Sequence, residues 1–564
     1  MYVIAYDVGT TGVKTCLFEV RDTIRLLAGA YEGYGLYILP GGGAEQDADE
    51  WWAAMAKSTR RLLEKTGTDS KAVAGISFCS QMQGLVLVDE AGRALRRPMS
   101  YMDQRGGKEF AACQTHGITI SGVNALMLLR SLRRTRAAST SVKDPLWKYK
   151  WVQKNEPEVY ARIHKWLDVK EYLIGRCTGR FVMTRDSAYS TFLYDSRPGK
   201  GCWSRELCRM YGVNFDHMPR IIECTDVAGP LTPQAAEELG LAEGCPVYGG
   251  GGDATLIGVG AGCTEVGQTH IYSGTSGWVG TVIDRQEVDI TSMIAGIVGA
   301  QEGKYNYFAE METAGKCFEW VKEHLVLDEI GIYLQKTNVA ESQETVYESL
   351  YDYMTDTIEA IPPGAGGVIF TPWLHGNRCP FEDPKASGMF FNLRLDTGKT
   401  EMLRAALEGI CYHLRWMLEC EDKKVKTAST LRFVGGGALS RVTCQILADV
   451  TGRTVETVAD TKDVGAVGAA MLVAVGSGQI AGLTQAAGLI RPLARYTPSP
   501  ANKALYDRNY NVFKNLYAAN KKNFAAMTDD LSSIKEETAK ECISASLPWE
   551  DTEQLGHSIA FLQS

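Results

Sequence analysis

Asp7-Val8-Gly9-Thr10-Thr11-Gly12 lies between two short apolar runs, residues 3–6 and 13–18. A carboxylate at a strand end, followed by a tight turn with two glycines and two threonine hydroxyls, predicts a hairpin that opens a sheet. The backbone N–H groups of such a turn can face phosphate oxygens. Gly9, Thr10 and Thr11 are the candidate contacts, and Lys14 stands just past the turn as a candidate positive charge. Alone, the hexapeptide reads equally well as an ordinary hairpin carrying a surface acid, so its meaning depends on a partner elsewhere.

That partner is the strand-like run 268–273, the turn Gly274-Thr275-Ser276-Gly277 and a further apolar run from Trp278. Gly274, Thr275 and Ser276 match the first turn in kind, which suggests two related lobes that offer equivalent loops to one cleft. A helical period at 51–63 and a short buried strand at 73–78 mix the two element types in the α/β manner. The expected organisation is a first lobe over 1–248, a second over 249–500 and a C-terminal extension over 501–564. In that extension a helix at 505–524 gives way to a polar tail whose apolar anchor is Leu547-Pro548-Trp549.

Two further glycine clusters bear on chemistry. Gly435-Gly436-Gly437 follows the apolar strand 431–434, and glycine lets backbone approach a ligand closely. Gly250-Gly251-Gly252 leads directly into Asp253, a carboxylate with no bulky neighbour before it and the candidate general base. A turn or helix cap is the plainer reading of an aspartate in that setting. Gly398-Lys399-Thr400 resembles the end of a phosphate-binding P-loop, but Leu393 stands where its first glycine belongs. Cys263 and Ser440 break the two nearest approaches to a dinucleotide-binding glycine pattern.

The 564 residues exceed the usual size of one domain, while 45% hydrophobic and 22% charged residues suit a well-packed soluble protein. A net charge of −8 argues against wholesale binding to nucleic acid or anionic membrane. The 15 cysteines include no C-x-x-C pair, no apolar run reaches bilayer length, and Asp7 interrupts any leader-like start, so a cytoplasmic location is expected. The eight histidines are dispersed, so any metal is expected to arrive with a nucleotide.

In order along the chain, Asp7 to Phe18, Ile76 to Gly84, Asp103-Gln104-Arg105, Gly250 to Gly262, Ser273 to Gly277, Phe370 to Leu393 and Gly435 to Gly452 resemble the FGGY family of carbohydrate kinases, and within it the xylulokinases. The resemblance implies two actin-like, ribonuclease H-like lobes, sugar on the first and adenosine on the second, with ATP across the cleft. It implies that Asp7 acts on a magnesium ion through water, with Asp253 near the same ion. The Thr10 and Thr275 turns would hold phosphates, and Gly436 and Gly437 would border adenosine. Gln81, Met82, Gln83, Asp103, Arg105 and Asp253 would meet the sugar, with Asp253 as the base. The implied reaction is phosphorylation of a small ketose or polyol, D-xylulose being the nearest, and a homodimer is compatible with it. The alternative is a regulatory protein of the same fold that binds sugar and nucleotide without transfer.

Several positions depart from the family pattern. Gln83 replaces the histidine of Gln-Met-His-Gly, and Tyr101-Met102 stands where Trp-Asn precedes Asp-Gln-Arg. Ala254-Thr255 follows Asp253, Asn377 and Cys379 flank Arg378, and Asn392 stands where Phe-Phe-Gly is usual. The Arg-rich stretch at 129–136 reads as an inserted, solvated helix face or lid.

Overall fold

Two mixed sheets, each started by one of the two hairpins, frame the protein. The computed structural model describes residues 1–120, 123–327, 354–355 and 357–544, and the expected anchor at Leu547-Pro548-Trp549 lies outside them.

In the first sheet β1 (Tyr2–Val8) and β2 (Gly12–Val20) pair antiparallel with Asp7 opposite Lys14, and β3 (Ile24–Gly33) continues beside β2. On the other side of β1 lies β4 (Val73–Ser80), parallel to it. With β5 (Val227–Pro230) and β6 (Pro246–Tyr248) the order is β5-β6-β4-β1-β2-β3. The short β7 (Gly251–Gly252) also pairs with β4, so the first sheet's pairing runs past residue 248. Val3, Ile4, Ala5, Tyr6 and Val8 are all buried, as expected of a strand covered on both faces. One cover is α1 (Ala48–Thr66), whose Trp51, Met55, Ser58 and Leu62 recur at helical spacing on its buried side. Asp47 caps its start and Gly67 its end, which extends the expected 51–63 by about one turn at each end.

The second sheet contains β8 (Thr269–Ser273), β9 (Gly277–Ile283), β10 (Val288–Asp289), β11 (Ile294–Val298), β12 (Tyr305–Met311), β13 (Thr430–Val434), β14 (Thr454–Val458) and β15 (Pro492–Tyr496). Their order is β10-β11-β12-β9-β8-β13-β14-β15. The sets β3-β2-β1-β4-β6 and β12-β9-β8-β13-β14 share one pattern of directions: two antiparallel neighbours, then two parallel ones. The echo between the two four-residue turns is therefore the visible part of a duplicated topology, and the lobes have the expected ribonuclease H-like, actin-like form.

Two helices cross at the junction. α2 (Asp253–Gly260) begins at the end of β7 and sends Ile257 against Trp278, Val434 and Val458 of the second lobe. α3 (Val464–Gly476) returns to the first lobe, where Ala466, Ala469, Ala470 and Val473 pack with Val3 and Ala5. Their backbones touch: a Cβ on Gly260 would stand 1.8 Å from the Val464 carbonyl oxygen, and one on Gly468 would stand 2.5 Å from that of Leu256. Near the C-terminus α4 runs Lys503–Ser544, well past the expected 505–524. Residues 525–544 are polar but contain neither glycine nor proline, and polarity alone does not stop a helix.

Candidate active site

The first turn is organised so that its carbonyls face the protein. Gly9 O accepts from Tyr34 Oη at 2.5 Å, Thr10 O from Gln46 Nε2 at 2.5 Å, Thr11 O from Tyr34 N at 3.0 Å, and Gly12 O from Gly9 N at 2.9 Å. The N–H groups of Thr10 and Thr11 have no partner among the described residues. The second turn repeats the arrangement. Gly274 O accepts from Gly315 N at 2.8 Å, Thr275 O from Ala314 N at 3.0 Å, and Ser276 O from Gly274 N at 3.0 Å. Thr275 and Ser276 keep their N–H groups unpaired among the described residues. Turns with their carbonyls bound and their amides open have the geometry to accept an anion.

The third glycine cluster adjoins the second turn. Gly435 has φ 92°, and a Cβ there would lie 2.6 Å from Ser273 O; one on Gly437 would lie 2.9 Å from the Ser273 side chain. At Gly436 the nearest atom to such a Cβ is 4.0 Å away, so its outer side is open. Lys14 is in an ion pair: Nζ lies 2.8 Å from Asp463 Oδ1, at the start of α3. It nevertheless lines a cavity of about 180 Å³ with Asp7, Gly9, Thr10, Thr11, Gly12 and Tyr31.

Asp7 and Asp253 converge through strand register. Cys79 on β4 pairs with Asp7 on one side and with Gly251 on the other, so both acids emerge at the carboxyl ends of the two parallel strands that flank β4. Burial pushes the Asp7 carboxyl up to about 6, with Lys14 opposing the shift and Asp463 adding to it. Burial pushes Asp253 up to about 7; the 2.7 Å bond from Ala254 N opposes this, and the negative charges of Asp7, Glu310 and Asp168 reinforce it. Tyr272 in β8 reaches the same place, since burial and then Asp7 and Asp253 raise its phenol.

The glycines before Asp253 are dictated by close packing. A Cβ on Gly250 would lie 2.3 Å from Phe78 O, and one on Gly252 2.0 Å from Met82 Sδ. Met82 thus sits directly against the approach to Asp253. Gln81 is buried and donates to Gln46 Oε1 at 3.1 Å, while its own Oε1 has no partner. That orphaned acceptor fits a ligand hydroxyl. Gln83 has φ 63°, and its backbone is held at both ends: its N–H donates to Asp168 Oδ2 at 2.9 Å, and its carbonyl accepts from Lys148 Nζ at 2.7 Å. Asp103 is fully buried, accepting from Ala44 N at 2.9 Å and from Arg105 Nη2 at 2.7 Å. Arg105 also donates to Glu45 Oε1 at 2.6 Å and lies over the Trp151 ring. The Asp103–Arg105 pair therefore fixes the shape of its loop.

Tyr101 joins the loop of Asp103 and Arg105 to the first turn, its Oη accepting from Thr10 Oγ1 at 3.4 Å. Asn377 closes its own loop through Nδ2 bonds to Cys379 O at 3.1 Å and Phe381 O at 2.9 Å. Asn392 has φ 67°, the region glycine usually fills and asparagine tolerates best among other residues. The Arg-rich stretch falls largely in the helix Ala125–Thr135, with Leu126 and Leu129 exposed and Arg134 paired with Glu206. Nothing local in the sequence marks Lys148, Asp168, Asp186, Tyr272 or Glu310 as part of the site. Each becomes visible only when distant segments meet.

Comparison with known proteins agrees with this geometry. Residues 2–260 match the N-terminal domain, and residues 270–477 the C-terminal domain, of the FGGY family of carbohydrate kinases. The chain is 27% identical over 522 residues to a xylulose kinase of Bacillus subtilis, covering 92% of this chain and 97% of that one. It is 26% identical over 524 residues to a gluconokinase of Bacillus licheniformis, covering 92% and 96%. A ligand-bound xylulose kinase from Lactobacillus acidophilus shares the fold with a TM-score of 0.80 at 23% identity, over 93% of this chain and 99% of that one. With both family domains present in order over most of its length, the chain belongs to the FGGY family of carbohydrate kinases, enzymes that phosphorylate a sugar with ATP as co-substrate.

Proposed function

We propose that this kinase transfers the γ-phosphate of ATP to a hydroxyl of a small ketose, D-xylulose being the first candidate, with Asp253 as general base. The observation that carries the assignment is Asp253 itself, a half-buried carboxylate just past the end of β7 whose pKa is pushed up to about 7. A base poised near working pH takes a proton effectively, a contribution of roughly 10²- to 10⁴-fold in rate. The substrate hydroxyl gives its proton to Asp253 as its oxygen attacks the γ-phosphorus, and ADP leaves. The N–H groups of Thr10, Thr11, Thr275 and Ser276 hold phosphate oxygens from the two lobes, with Gly9 and Gly274 shaping the turns. Gly435, Gly436 and Gly437 give adenosine a surface free of side chains. Gln81, Met82, Gln83 and the loop held by Asp103 and Arg105 orient the sugar.

Among the described residues no group of three or more His, Cys, Asp and Glu could hold a metal ion. Asp7 and Asp253 fit a divalent cation whose remaining ligands come from nucleotide phosphates and water. Bound with ATP, magnesium would lower the charge that the attacking hydroxyl meets.

The xylulose preference draws on relatives named xylulose kinase, and gluconokinase relatives of similar identity make sugar acids the principal competitor. The test is ADP release with magnesium-ATP against pentuloses, hexuloses, polyols and sugar acids, with product masses recorded. A pentulose as the strongest acceptor supports the reading, and gluconate as the strongest overturns the choice of sugar. Asp253→Asn with near-normal turnover overturns the choice of base.

A further inference from the structure

Behind the Gly252–Asp253 peptide lies a buried charged cluster. Lys170, Glu171, Thr184, Asp186 and Ser187 are each no more than 2% exposed. Lys170 Nζ donates to Glu171, to Thr184 Oγ1 at 2.5 Å and to Ser187 Oγ at 2.7 Å. Thr184 Oγ1 donates in turn to Asp186 Oδ1 at 2.5 Å. The second oxygen of Asp186 accepts the N–H of Gly252 at 2.7 Å, one residue before Asp253.

A buried ionic cluster is weak evidence for a gain in stability, because apolar side chains of the same volume often hold a core at least as well. Its bond toward the cleft meets the backbone where side chains cannot steer it. Gly252 has no room for a Cβ against Met82, and Gly251 and Gly252 stand in register with Cys79 and Ser80 of β4. The Gly252 N–H itself is taken by Asp186, which adds a side-chain restraint to that ladder just before Asp253. A displacement of about 1 Å in a reacting group can cost 10²-fold in rate, so the direction in which this peptide is held bears directly on turnover.

We propose that Asp186 is the positioning residue for Asp253: its carboxylate, braced by Thr184 and Lys170, fixes the Gly252–Asp253 peptide so that the Asp253 carboxyl meets the acceptor hydroxyl. This rests on Asp253 being the base. No proton passes through the cluster.

The test uses the full chain with magnesium-ATP and its best acceptor sugar, comparing Asp186→Ala, Asp186→Asn and Asp253→Asn. Asp186→Ala is expected to lower kcat by about 10- to 100-fold, the range for a displaced reacting group, with KM for ATP within about twofold. Asp186→Asn keeps an oxygen for the Gly252 N–H and is expected to recover most of that loss. Should the alanine variant fail to fold, Asp186→Ser replaces it, since its one hydroxyl can serve Thr184 but cannot also reach Gly252. Wild-type kcat in Asp186→Ala beside an inactive Asp253→Asn overturns the positioning role alone. Equal losses in the alanine and asparagine variants, with matching falls in melting temperature, also overturn it, because a merely structural part behaves that way. Retained turnover in Asp253→Asn removes the base assignment, and this inference with it.

Discussion

Lys148 Nζ lies 2.7 Å from the carbonyl oxygen of Gln83, and the lysine is fully buried. Burial pulls its pKa down to about 8, while the charges of Asp103, Asp168 and Asp144 oppose that fall and Lys143 assists it. The ammonium is therefore present below about pH 8 and lost above it. As the proton leaves, three carboxylates lose their shared cation and the Gln83 loop loses a charge-assisted bond.

The expected outcome is a KM for sugar that rises with pH above about 8 while KM for ATP stays level. Lys148→Met should raise the sugar KM by about tenfold, the equivalent of one charge-assisted hydrogen bond, and abolish the alkaline rise. Initial rates over pH 6.5 to 9.5, roughly bracketing the lysine's titration, check both. An alkaline rise that persists in Lys148→Met would assign it to another group.

Gln83 is open to exchange because its backbone, and not its side chain, carries the bonds that shape the loop. Its φ of 63° suits histidine better than most residues. Gln83→His should therefore fold normally and change the ranking among ketoses, since the ring replaces a flexible amide with a fixed shape and one donor. Relative kcat/KM across a ketose panel is the measurement, and an unchanged ranking counts against Gln83 as a selector.

Gly252 and Met82 offer a paired test of how tightly Asp253 is seated. A Cβ on Gly252 would stand 2.0 Å from Met82 Sδ, so Gly252→Ala must push the thioether or the Asp253 peptide aside. At least a tenfold fall in kcat is expected of a displaced base. Combining it with Met82→Ala frees the space and should restore most of the loss, a coupling that a double-mutant cycle reads directly. Additive losses would show that the two residues do not compete for that space.

Much of this frame is legible in the sequence because it is local. A turn with two glycines between apolar runs announces its hairpin, and Asp7 at the strand end announces the acid. The glycine run before Asp253 is legible as a signal but not in its cause: its side chains are excluded by Phe78 and Met82, both far off in the chain. Lys14 shows the same limit. Sequence places it beside the first turn, but its partner Asp463 stands at the start of a helix that crosses back from the second half of the chain. Lys148 and Asp186 read as ordinary charges until the fold brings Gln83 and Gly252 to them.

The crossing of α2 and α3 carries a last prediction about the lobes. At Gly260 the atom a methyl group would meet is the Val464 carbonyl oxygen, at 1.8 Å, and backbone cannot yield as a side chain can. Gly260→Ala should therefore destabilise the protein by about 3 kcal/mol, the upper range of overpacking. Because α2 starts at Asp253, the strain also reaches the base, and kcat should fall alongside the melting temperature. Gly482→Ala is the control: its backbone is extended at φ −177°, nothing lies within 4 Å of its Cβ position, and both quantities should stay near wild type. Calorimetry and initial rates on the two variants decide the matter. A Gly260→Ala protein that melts and turns over like the control would mean that the two helices can separate without cost, and the lobes would then be joined less rigidly than the backbone contact between α2 and α3 requires.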